Sequence, residues 1–190
     1  MSVKAIKAKA EELLSFGIPK QQAFDNLMLQ FPEAKPKKVA EVVRYMPSLL
    51  ARERYRSLHL ALLGLIAASA ALRLARPLLT GSVGLDQATA YLSLVPIATL
   101  LLGYSLYRWQ GQVFEWVGWG NVVGVFGLMK ELNLLAKDGV DLWDLSGRLL
   151  SVCIGGVALY LAYRVFTKPK VEKDPLGGPD RVVFREEHPI

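Results

Sequence analysis

Apolar positions recur along this chain first at helical spacing and then almost without interruption. Val3, Ile6, Ala10, Leu13 and Leu14 mark one face of a helix that Gly17 ends. Pro19 fits the first turn of a second helix, whose stripe is Ala23, Phe24, Leu27, Met28 and Phe31 and which stops at Pro32. Pro36 opens a third, with Val39, Val42, Val43 and Met46 on its apolar side. After a bend at Pro47 the chain is expected to run as one helix through Arg52-Glu53-Arg54-Tyr55-Arg56 into the segment that follows. Three such helices can bury one another's stripes. A core of that size is marginal, so this module is expected to lean on a membrane surface or on another chain.

From residue 57 the pattern changes. No charged residue falls within 57–72, 87–107, 116–129 or 149–163, which together make up about a third of the chain. Crossing a hydrocarbon layer of about 30 Å takes roughly 20 helical residues. Residues 87–107 meet that requirement unaided, apolar on every side and with Pro96 as a kink site. The other three windows must borrow from their ends. Span 57–79 takes in Arg73 and Arg76, span 113–129 takes in Glu115, and span 149–166 takes in Arg164. Terminal arginines are tolerable because their long side chains reach the headgroups.

The expected fold is therefore an all-α integral membrane protein. It has about four transmembrane helices (57–79, 87–107, 113–129 and 149–166), a small N-terminal cytoplasmic helical module (1–56) and an irregular cytoplasmic tail (167–190). In that Pro- and Gly-rich tail only Arg181-Val182-Val183-Phe184 has the character of a short strand or docking peptide. Two alternatives are a re-entrant third segment and a soluble bundle, and the second conflicts with the lack of a polar stripe on 87–107. The short connections suggest Asp86 as a cap for span two, Gly111 as the tight turn before span three, Gly139 as a helix stop, and Asp141 with Asp144 as a capping box.

Composition agrees and adds orientation. The 190 residues are 52% hydrophobic and 21% charged, with a mean hydropathy of +0.28, which argues against a disordered chain. A single cysteine, Cys153, leaves no intrachain disulfide, and a small buried side chain is its expected role. Of the 23 basic residues, only Arg73, Arg76, Lys130, Lys137 and Arg148 fall outside in a four-span arrangement with the N-terminus inside. Retention of Lys and Arg on the cytoplasmic side then puts both termini in the cytoplasm, with the bacterial inner (plasma) membrane as the expected location. Tyr104, Tyr107, Trp109, Trp116, Trp119, Tyr160 and Tyr163 would lie toward that same face, and Tyr91 and Trp143 toward the other. No apolar run precedes residue 57, so span one is expected to act as the insertion signal.

Few residues suggest chemistry. Glu115 is a carboxylate inside a span, where such groups tend to be paired or functional. With Arg108 and His59 it makes a candidate ion pathway, against the plainer reading of an interfacial pair between Glu115 and Arg108 and a hydrogen-bonded His59. Gly120 and Gly124 form a GxxxG pair, with Gly127 a turn further and Gly155 and Gly156 on span four, as candidates for close helix packing. Arg52, Arg54 and Arg56 precede span one and suit anionic lipid headgroups. Lys35, Lys37, Lys38 and Arg44 follow a short turn and could contact phosphate, but nucleic acid is not the expected partner of a chain anchored in lipid. Asp138, Asp141 and Asp144 read as caps more than as a metal site, and the sequence holds no GxSxG, HExxH, P-loop or dinucleotide-binding pattern.

No metal or cofactor and no catalysis are expected. The expected partners are the lipid bilayer and further copies of this chain or a larger membrane complex. The expected function is that of an oligomeric or accessory subunit. The alternative is an oligomeric ion channel or membrane-permeabilising effector gated by the N-terminal module.

Overall fold

A computed structural model of the chain describes residues 3–80, 101–135, 142–172 and 181–184. The chain is mostly helical. In order the helices are α1 (Val3–Ser15), α2 (Lys20–Gln30), α3 (Pro36–Arg44), α4 (Leu49–Arg54), α5 (Arg56–Thr80), a helical stretch over 101–107 (α6), α7 (Gly111–Leu135) and α8 (Leu142–Val165). Two short strands follow, β1 (Lys170–Glu172) and β2 (Arg181–Val183). They pair antiparallel, Val171 opposite Val182. Most of span 87–107, with Pro96 and Asp86, lies outside the described residues, as do Asp138, Gly139 and Asp141.

The chain divides into two compact units. One comprises Met1–Arg56 with Leu161–Ile190, the other Ser57–Tyr160. In the first, α1, α2 and α3 form because their apolar stripes meet. Ile6, Ala10, Leu13 and Leu14 pack with Ala23, Phe24 and Leu27 and with Val39, Ala40 and Val43. Gly17 turns the chain between α1 and α2 at φ 79°, a left-handed conformation that glycine adopts at no steric cost. Pro36 occupies the first turn of α3, as its fixed φ favours.

Two local differences from the sequence expectation stand out here. First, the chain does not run as one helix from Pro47 into span one. Ser48 caps α4 by accepting from the Ala51 N–H at 3.2 Å, and Tyr55 (φ −102°, ψ 11°) separates α4 from α5. Second, the tail is less irregular than expected: Arg181–Val183 is the strand its residues suggested, and Lys170–Glu172 pairs with it. β2 carries Val182 into the helical core, and Phe184 follows it, its ring 5.8 Å from that of Phe24 and tilted by 51°. Gln21 holds the strand by its amide, with Oε1 accepting from the Phe184 N–H at 2.8 Å and Nε2 donating to the Val182 carbonyl at 3.4 Å. These two apolar residues enlarge a core that the three helices alone leave small.

In the second unit the long helices reverse the usual arrangement. Arg56–Ala75 within α5 and Leu142–Val165 are long and apolar enough to cross a membrane, yet only 11% and 28% of their apolar windows are buried. The core helix of a water-soluble protein would be mostly buried. α7 is unbroken from Gly111 to Leu135 but carries Gln112, Glu115 and Asn121, and it falls outside that pair. Its side chains at 116, 119, 123, 126 and 129, which share one face at helical spacing, are all large, apolar and exposed. Trp116 and Phe126 are 79% and 71% exposed.

Candidate functional site

The best-defined polar site of the second unit is built on His59, one turn into α5. It is buried, and Nε2 donates to the Leu106 carbonyl at 2.9 Å. That carbonyl lies at the end of α6, where helix geometry leaves the final C=O groups without intrahelical donors. The His59 ring also packs against Trp109, tilted by 36° with centroids 4.1 Å apart, and lies 5.9 Å from Phe114. Trp109 has φ 55°, a left-handed conformation uncommon for an aromatic residue. The tight turn between α6 and α7 is therefore made at Trp109, and Gly111, the expected turn residue, is the first residue of α7. The rings of His59 and Phe114 both pack against the strained residue and lie next to each other.

The candidate ion-pathway residues are not assembled. Arg108 is exposed, and Glu115 is half-buried on α7. His59 is engaged with the turn. None of the three lines a cavity of about 320 Å³ in this unit, bounded by Ile66, Ser69, Ala70 and Arg73 of α5, Leu102 of α6, Trp116, Val117, Gly120 and Asn121 of α7, and Ile154 of α8. Its walls are largely apolar, and Arg73 is the charged side chain among them.

The contact between α7 and α8 is a ladder of small residues, offset from the predicted one. A Cβ on Gly118 would meet the Leu159 side chain at 2.6 Å, one on Gly155 would meet Asn121 Cβ at 3.0 Å, and one on Gly124 would meet Ser151 Oγ at 2.8 Å. Gly127 lies under the Arg148 guanidinium. These four positions on α7 (118, 121, 124, 127) descend as their partners on α8 ascend from 148 to 159, so the two helices are antiparallel. Ser151 Oγ donates to Asn121 Oδ1 at 2.6 Å, and Asn121 Nδ2 donates back along its own helix to the Val117 carbonyl at 2.7 Å, which fixes the amide. Gly124, Gly127 and Gly155 thus sit where close approach was expected. Gly120 and Gly156 do not, since a Cβ at either meets nothing within 4 Å. The pairing repeats every three residues from Gly118, a residue the GxxxG pattern passes over. Cys153 is likewise exposed and not buried, because α8 turns Ile154, Ala158, Leu161 and Val165 inward and leaves 153, 156, 160 and 163 on the opposite side.

In the first unit the basic residues divide into two sets. Lys20 is buried and donates from Nζ to the Val165 carbonyl at 2.7 Å, with its ammonium 5.9 Å from the Phe166 ring centroid. Arg44 Nε donates to the Phe166 carbonyl at 3.2 Å while its guanidinium lies over Tyr45. Two cations thus cap the C-terminus of α8, where the helix dipole favours positive charge. Arg44 is therefore committed to the fold. Lys35, Lys37, Lys38, Arg52, Arg54 and Arg56 are exposed. Nothing in the sequence marks Lys20 as different from its neighbours, because its partner is 145 residues away. Among the described residues no group of three His, Cys, Asp or Glu side chains could hold a metal ion.

Comparison with protein-family models, with curated proteins and with solved structures gives no match.

Proposed function

We propose that this chain is a small multi-spanning protein of a bacterial inner membrane, with about four spans and both termini in the cytoplasm, that works as a non-catalytic oligomeric or accessory subunit of a membrane assembly. The observation that carries this reading is the apolar exterior of the second unit, above all the exposed stripe of Trp116, Trp119, Val123, Phe126 and Met129 on α7. In water such a surface drives aggregation, whereas in a bilayer it is the ordinary outer face of a helix. The basic residues retained on one side and the exposed Tyr104, Tyr107, Trp116, Trp119, Tyr160 and Tyr163 near the same helix ends support the orientation. Gly156 supplies an open, flat place on α8 where a further helix can approach.

Native mass spectrometry of the protein extracted from its own membrane tests the subunit role. A homo-oligomer or a stoichiometric partner is the expected result, and a lone monomer in gentle detergent contradicts it. Topology has its own test. In a Cys153→Ser background, Gln112→Cys is expected to label only from the cytoplasm and Ser82→Cys only from outside.

The second reading, an oligomeric channel or permeabilising effector gated by the N-terminal module, draws support from the cavity beside Ser69 and Arg73. Conductance of the purified protein in planar bilayers, altered by Arg73→Ala or Glu115→Gln, would favour it over the subunit role. The expectation under the first reading is no flux that either substitution abolishes.

A further inference from the structure

Not every apolar side chain of the N-terminal module is inside it. Phe16, at the end of α1, is 75% exposed, and Leu49 and Leu50, which open α4, are 41% and 45% exposed. The turn at Gly17 brings α4 beside the end of α1, for the Leu49 side chain lies 3.8 Å from the position of a Cβ at Gly17, the residue after Phe16. Ala51 is buried beneath α4, so the short helix is seated on the module and shows these leucines outward. Arg52, Arg54 and Arg56 follow at once and are exposed. α5, a helix fit to cross a membrane, begins at Arg56, so Leu50 is within roughly 20 Å of contour length of a span. An apolar patch bordered by arginines, tethered that closely to a bilayer, matches the two features of a leaflet: an apolar interior and a negatively charged surface.

We propose that Phe16, Leu49 and Leu50 dock the module onto the cytoplasmic leaflet of the membrane that the chain itself spans, inserting at the headgroup boundary while Arg52, Arg54 and Arg56 bind anionic lipid headgroups. This rests on the membrane reading above. The partner is the lipid surface, and the anionic lipid sets its strength, because each of the three arginines gains from a negative surface potential that salt screens.

The test uses the full chain in vesicles of phosphatidylcholine with phosphatidylglycerol and in vesicles of phosphatidylcholine alone. In a Cys153→Ser background, Phe16→Cys, Leu50→Cys, Leu29→Cys and Phe126→Cys each carry an environment-sensitive fluorophore, and the lipids carry an acyl-chain quencher. Leu29 is 81% exposed but nine residues beyond Lys20 on α2, about 14 Å along the helix axis. Expected is strong quenching at Phe126 in both vesicles, quenching at Phe16 and Leu50 that falls several-fold without phosphatidylglycerol, and none at Leu29. The triple change Arg52→Gln, Arg54→Gln, Arg56→Gln should weaken the signal at Phe16 and leave that at Phe126 intact. Quenching at Phe126 but not at Phe16 and Leu50 overturns the docking alone and favours a protein on that patch. Equal quenching at Leu29, or no response to lipid charge, also overturns it. No quenching at Phe126 overturns the membrane reading together with the proposal.

Discussion

The two units of this chain apply one physical rule with opposite results. Around α1, α2 and α3 the aliphatic and aromatic stripes point inward, and Phe24, Leu27 and Val43 are all but sealed from solvent. Along α7 the largest apolar side chains point outward, and every close rung between α7 and α8 includes a glycine. The hydrophobic effect explains the first arrangement, because apolar surface leaves water. It does not account for the second. On the proposed membrane reading, side chains already surrounded by hydrocarbon gain little by moving inward, and close backbone approach and interhelical hydrogen bonds are then what associate helices. On that reading the two units are built for two solvents.

The largest effect that would break or sharpen this contrast comes from one pair of truncations. Phe24→Ala removes a core ring that faces Phe184, and loses about 3–5 kcal/mol of stability by the usual cost of such cavities. Limited proteolysis of the intact protein in detergent should then cut within the first 50 or so residues, leaving the helices beyond residue 57 protected. Phe126→Ala, of the same chemistry on an outward face, should leave thermal unfolding in detergent within about 0.5 kcal/mol of the parent. If both variants unfold alike, the units do not differ as described.

Lys20→Met comes next. It keeps an unbranched side chain, shorter by the ammonium, and leaves the Val165 carbonyl without its donor, a loss of about 1–3 kcal/mol seen as earlier proteolysis of the module. Similar in size, Gly118→Leu forces side-chain atoms into Leu159 and should lower the melting temperature of the α7–α8 contact by overpacking worth about 1–3 kcal/mol. Gly156→Leu, at an exposed position with nothing near its Cβ, should leave the single chain unchanged and act only on an oligomer. The smallest effect belongs to Ser151→Ala, which removes the hydrogen bond to Asn121 and should cost about 0.6 kcal/mol, the average for such bonds between membrane helices. A larger loss would mean that the pair sits in a drier place than the ladder implies.

Much of the fold was legible from residue pattern. Proline and glycine at 17, 19, 32 and 36 punctuate α1, α2 and α3 because backbone freedom is a local property, and the apolar stripes on each name the core that forms. The start of α5 was not legible, since a continuous helix from Pro47 was expected and neither proline nor glycine marks the break at Tyr55. What pattern did not carry is long-range pairing. Val182 and Phe184 enter a core more than 130 residues away in sequence, and Lys20 and Arg44 find carbonyls beyond residue 160. Helix rotation was also hidden. Gly118 and Gly120 are equally small, and only the set of the two helices decides which one meets Leu159. The strained turn at Trp109 escaped detection because glycine, two positions later, is the residue that normally takes a left-handed conformation.

The claim on which all else depends is that the outward apolar face of α5, α7 and α8 meets lipid. Washing membranes from expressing cells with alkaline carbonate, which strips peripheral proteins and leaves spanning ones, tests it most directly. The chain should stay with the membrane pellet and dissolve only when detergent is added. Release of a monodisperse, detergent-free protein into the supernatant would contradict the account.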